Sequence, residues 1–206
     1  MMKRIDPTLQ NLVNSELESG EKLQWSGQPE PTRLAKGTLP ILLFAIPWTA
    51  FACFWVTMAC TGVSHMHQFG PMMIFPLFGL PFIFVGLGML STPLFVYRQA
   101  KRTVYAITNK RALMLKASGR GKTVVSYPPA VFGDINRLEY ASNKGDVTWT
   151  PGIGGAMGFP FNSSSLLIRS RYSGNIATPG FFGIDNPHDV EKLLRQLADT
   201  KKSEPQ

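Results

Sequence analysis

Two histidines and three methionines crowd one short stretch, His65-Met66-His67 with Met72 and Met73 close by, and imidazole with thioether suits copper better than zinc. Two histidines are too few for a closed site, and no carboxylate lies nearby to orient them. A polar loop at a membrane surface is the simpler reading, with a small metal-handling or transport component as its alternative. Gly121-Lys122-Thr123 ends like a phosphate-binding loop, but Lys116 stands where that motif needs its first glycine, and Val124-Val125-Ser126-Tyr127 reads as strand where a helix should follow. Gly152-Ile153-Gly154-Gly155-Ala156-Met157-Gly158 misses the dinucleotide spacing, because Met157 occupies the third glycine's place. Asn162-Ser163-Ser164 is a glycosylation sequon only in form, inert on the cytoplasmic side. His188 has no evident nucleophile or carboxylate partner. The sequence therefore predicts no catalysis, no cofactor and no metal.

The elements that carry these residues are set by charge. Between Gly37 and Tyr97 there is no Lys, Arg, Asp or Glu. Leu39–Val63 and Pro71–Val96 are each long enough for a helix to cross a hydrocarbon slab about 30 Å thick. Residues 38–97 thus read as a two-helix transmembrane hairpin, with spans at 39–63 and 71–96, between an N-terminal segment (1–37) and a soluble domain (98–206). A cleaved signal peptide fits poorly, since acidic groups precede the first apolar run and that run exceeds the usual length. Arg33 and Lys36 flank the first span and Arg98, Lys101 and Arg102 the second, so both termini are expected in the cytoplasm. The whole net charge of +8 belongs to the last segment, which suits an anionic membrane face better than nucleic acid in an anchored chain.

Within the first span small residues recur every four positions, at Ala45, Thr49, Cys53, Thr57 and Thr61; the second offers Gly79, Gly86 and Pro93. Such rows let helices approach closely, either within the hairpin or between copies of the chain. Cys53 and Cys60 are expected to pack as small residues rather than form a disulfide or zinc site.

Outside the spans, Asp6-Pro7 caps a short amphipathic helix over 6–18, with Leu9, Leu12, Val13 and Leu17 at helical spacing, expected to pack on the soluble domain. After Tyr97 short strands are expected at 103–108, 112–116, 123–127, 135–141, 147–150, 166–171 and 180–184, with a turn at 143–146. Asn186-Pro187 then opens an amphipathic helix over 187–200. The expected fold is α+β: a transmembrane hairpin plus a small β-barrel of about seven strands capped by a C-terminal helix.

Seven strands closed by a helix is the pleckstrin-homology-like (PH-like) arrangement, and three motifs carry a closer resemblance. Gly20-Glu21-Lys22-Leu23-Gln24-Trp25-Ser26-Gly27-Gln28-Pro29 resembles the opening of bacterial membrane-anchored PH-domain proteins. Tyr105-Ala106-Ile107-Thr108-Asn109-Lys110-Arg111 resembles their strand-turn-strand after a hairpin, and Phe181-Phe182-Gly183-Ile184-Asp185-Asn186-Pro187 their closing strand and helix start. The glycine-rich stretch from Gly152 to Pro160 departs from the pattern. The resemblance implies a noncatalytic scaffold in the bacterial inner membrane, presenting its barrel to a protein partner or an anionic lipid surface. Arg98, Lys101, Arg102, Lys110 and Arg111 are the candidate membrane-surface contacts, each worth about 1 kcal/mol near an anionic leaflet. Residues 19–29 are compatible with either a barrel strand or a separate segment.

Overall fold

The computed structural model describes residues 5–64, 75–119, 121–140, 143–151 and 179–202. Two compact units emerge. The described residues up to Leu34 join those from Arg98 onward, and Ala35–Tyr97 form the other.

The second unit is apolar. Helices α3 (Leu39–Ser64) and α4 (Phe75–Lys101) are both long and apolar enough to cross a membrane. Phe44, Phe51, Phe54, Phe78 and Phe84 all point outward, an exposure that water opposes and lipid accepts. The helices meet along Ala45, Thr49, Ala52 and Val56 on one side and Gly79 and Gly86 on the other. Trp48 Nε1 donates across the seam to the Phe82 carbonyl at 3.2 Å. Only the first two members of the predicted four-residue row lie in this seam; Cys53, Thr57 and Thr61 are exposed. A row taken every four residues slips about 40° per step around a helix, so by Thr61 it has turned to the opposite side. The hydroxyls of Thr57 and Thr61 are satisfied on their own helix, by the carbonyls of Cys53 (2.8 Å) and Met58 (2.9 Å).

A Cβ on Gly86 would stand 2.3 Å from Thr49 Oγ1 and 3.3 Å from its Cα, so backbone as well as side chain blocks it. Gly86→Leu is expected to loosen the hairpin by about 2 kcal/mol, by the overpacking of a close seam. Heat-induced aggregation of the detergent-solubilised chain checks this. Gly88→Leu, with nothing within 4 Å of its site, should leave the aggregation temperature unchanged.

The first unit is built on seven described strands. Helix α1 (Pro7–Asn14) starts at Asp6, whose Oδ1 accepts from Thr8 N at 2.9 Å. Strand β1 (Leu23–Gly27) and the short helix α2 (Pro31–Lys36) precede the hairpin. After it come β2 (Thr103–Thr108), β3 (Ala112–Ser118), β4 (Gly121–Tyr127), β5 (Phe132–Tyr140), β6 (Lys144–Pro151), β7 (Gly180–Asp185) and helix α5 (Pro187–Lys202). The strands form two antiparallel sheets, ordered β1-β2-β3-β4 and β5-β6-β7.

All six β2 residues are buried because both faces of its sheet are covered. Val104 and Ala106 join Leu113 and Leu115 under Leu9 and Val13 of α1, as the amphipathic pattern predicts. Tyr105 and Ile107 face the other way, into a core shared with Trp149, Phe181 and Ile184 of the second sheet and Val190, Leu194 and Leu197 of α5. Trp149 sits among rings there, edge-on to Tyr127 (5.1 Å), Phe132 (5.1 Å) and Phe181 (5.3 Å).

Two expectations need correction. No closed barrel forms among the described residues: no ladder joins β4 to β5 or β1 to β7. Pro128 and Pro129, which have no N–H to donate, lie in the crossing from β4 to β5 and interrupt pairing there. The turn expected at 143–146 is also displaced, since residues 144–146 already belong to β6, Lys144 pairing with Tyr140 and Asp185, and only Asn143, at φ 55°, precedes the strand. The strand expected at 166–171 lies outside the described residues. Residues 23–27, open on sequence grounds, pair with β2 as a full member of the first sheet.

Candidate functional site

Strand direction divides the five candidate cations. Arg98 and Lys101 occupy the last turn of α4, where cations suit the helix dipole, and Arg102 follows, its carbonyl accepting from Ala117 N at 2.8 Å. From Thr103 strand β2 runs away from that point, so the turn bearing Lys110 and Arg111 lies about 20 Å off at the sheet's other end. The structure groups Arg98, Lys101 and Arg102; it does not bring Lys110 and Arg111 to them.

Arg111 is committed instead to the segment before β1. The Glu21 side chain is fully buried and accepts from Arg111 Nε (3.0 Å) and Nη2 (3.0 Å), Thr108 Oγ1 (2.6 Å) and Glu18 N (2.8 Å). Arg111 Nη2 also reaches Glu18 Oε1 at 3.0 Å and the Glu16 carbonyl at 3.2 Å. Beside this, Asn109 N donates to the Lys22 carbonyl (3.1 Å) while its Oδ1 accepts from Lys22 N (2.8 Å). Lys110 Nζ reaches the Ser19 carbonyl at 3.4 Å. Burial alone would push the Glu21 carboxyl up, but Arg111, Glu18 N and Thr108 outweigh it and hold it near 2, from 4.5. The same pairing raises Arg111 above its ordinary value. A carboxylate so saturated cannot take a proton near neutrality. It is a clasp between Gly20-Glu21 and Thr108-Asn109-Lys110-Arg111, two of the motifs that carry the resemblance.

The third motif forms a second clasp. Gly183 takes φ +63°, its N donates to Asp146 Oδ1 (2.7 Å) and its carbonyl accepts from Glu30 N (2.9 Å). Glu30 Oε2 meets Lys144 Nζ at 2.8 Å, and the Arg33 guanidinium lies 3.4 Å over the Tyr140 ring. Tyr140 OH in turn donates to Asp146 Oδ2 at 2.6 Å. A side chain at Gly183 would meet the left-handed backbone penalty and stand 3.1 Å from Glu30 N. Gly183→Val should cost about 2–3 kcal/mol in chemical unfolding of the solubilised chain.

Other sequence candidates resolve simply. Gly121-Lys122-Thr123 begins strand β4, and Lys122 pairs with Glu16. His188, in the first turn of α5, contacts Arg137, which also pairs with Glu191 at 3.2 Å. Among the described residues no group of three or more His, Cys, Asp or Glu is placed to hold a metal. The His65–Met73 constellation, the glycine-rich stretch from Gly152 and the sequon at Asn162 lie outside the described residues.

Sequence reading missed Lys116. It is half-buried on β3, opposite Thr103 on β2 and Thr123 on β4, and burial pushes its ammonium below the ordinary value. Strand alternation was the available signal, since Lys116 shares a face with Ala112 and Met114. No family model, curated protein or solved structure matches this chain.

Proposed function

We propose that the protein is a noncatalytic, membrane-anchored binding or scaffold protein of the bacterial inner membrane. Its apolar hairpin holds a PH-like domain at the cytoplasmic face, where the domain meets a protein partner or an anionic lipid surface. One observation carries the reading: β1 precedes the hairpin, β2 follows it, and they are neighbours in one sheet. Two strands of one sheet lie on one side of a bilayer, so a hairpin between them must return to the side it left. The cations at Arg33, Lys36, Arg98, Lys101 and Arg102 favour the cytoplasm for that side. The four-plus-three strand order with a C-terminal helix supports the PH-like assignment.

Reporter fusions at residues 1 and 206 test the topology: both should be active only when the reporter works in the cytoplasm. Activity of either fusion on the outer side sinks the reading. Crosslinking in intact cells should then capture a membrane protein partner through the domain.

A further inference from the structure

We propose that Lys116 binds the phosphate of an anionic lipid, at the end of the four-stranded sheet from which the chain leaves for the hairpin. The assignment rests on the membrane reading above and adds a residue to it. Lys116 is one position from Ala117, whose N–H is bonded to the Arg102 carbonyl at 2.8 Å, so the residue stands beside the chain's exit from α4. In register it is flanked by Thr103 and Thr123, giving a hydroxyl–ammonium–hydroxyl row across three strands. Thr103 Oγ1 donates to the Gln99 carbonyl at 2.9 Å, whereas Thr123 is exposed.

Charge balance separates the two ends of the sheet. At the far end Arg111 is neutralised by Glu21 and Glu18. On the outer face Lys122 is neutralised by Glu16. Lys116, half-buried, makes no ion pair among the described residues. Asp6, the cap of α1, lies over the face of the sheet that Val104 and Leu115 present, opposite to the face Lys116 shares with Ala112 and Met114. A half-buried ammonium without a counter-charge is costly, and a phosphate oxygen is the partner that removes the cost. Arg98, Lys101 and Arg102 lie at the same end of the sheet, so a phosphate arriving there meets further positive charge.

The test uses the full chain in nanodiscs of phosphatidylcholine alone, of phosphatidylcholine with phosphatidylglycerol, and of phosphatidylcholine with added inorganic phosphate. Lysine acetylation rates are read by mass spectrometry. Phosphatidylglycerol should slow acetylation of Lys116 several-fold and leave Lys110, at the opposite end of the sheet, nearly unchanged. It should also raise the Tm of the wild type but not of Lys116→Met, which removes the ammonium while keeping the stem. Equal rates at Lys116 in all three conditions overturn the proposal, as does equal protection of Lys110. Protection by inorganic phosphate but not by phosphatidylglycerol overturns the lipid assignment. Failure of the chain to enter any nanodisc would instead sink the membrane reading.

Discussion

Arg111→Ala is expected to destabilise the strand-bearing unit by about 3–5 kcal/mol, because it leaves the buried Glu21 carboxylate without its charged partner. Denaturant unfolding of the solubilised chain, followed by tryptophan fluorescence, measures it. Lys110→Ala, one residue away and exposed, is the comparison and should cost little. Adding Glu21→Gln to Arg111→Ala should recover part of the loss, since a neutral amide needs no counter-charge. Similar midpoints for the two single variants would show that the pair contributes nothing.

The same clasp sets an acid limit. The Glu21 carboxyl is lowered from 4.5 to about 2 in the folded chain. Its stabilisation is therefore complete above about pH 4.5 and is lost as pH falls toward 2, where the unfolded chain binds the proton that the folded chain refuses. A shift of that size corresponds to roughly 3 kcal/mol. Arg111→Ala should flatten the fall in stability between those pH values; a wild-type slope left unchanged would remove Glu21 from the account.

Trp149→Ala should be the other severe substitution, at about 3–5 kcal/mol, because the indole is fully buried and meets three rings. Trp149→Phe discriminates between volume and polarity. The indole Nε1 is buried with no hydrogen-bond partner among the described residues, so removing it forfeits no bond. Phenylalanine should thus retain most of the stability, with a loss of roughly 1 kcal/mol for the smaller ring. Equal losses for both variants would mean that the ring contacts are not what holds the two sheets together.

Much of the local structure was legible. The two long apolar helices, the Asp6 cap, the strands on either side of Thr108-Asn109-Lys110-Arg111 and the helix from Pro187 all follow from charge, apolar period and turn chemistry. The candidate site was legible only in part. Arg98, Lys101 and Arg102 are adjacent in sequence and stay together, but Lys110 and Arg111 are carried to the far end by the strand between them. Strand alternation places Lys116 on one face with Ala112 and Met114, but which groups of other elements face it is set only by the fold.

Sequence alone determined which segments are long and apolar enough to cross a membrane, because the absence of charge over sixty-one residues is a sum that no fold alters. It also determined the helical and extended segments that flank that stretch. Tertiary structure decided the partnerships: β1 with β2 across the hairpin, Glu21 with Arg111, Glu30 with Lys144, and a helix seam that leaves the four-residue row after Thr49. Each of these joins groups whose separation along the chain far exceeds the reach of local propensity. They form only when burial of the shared core brings the distant groups close enough for a hydrogen bond or an ion pair to outweigh the solvation they lose.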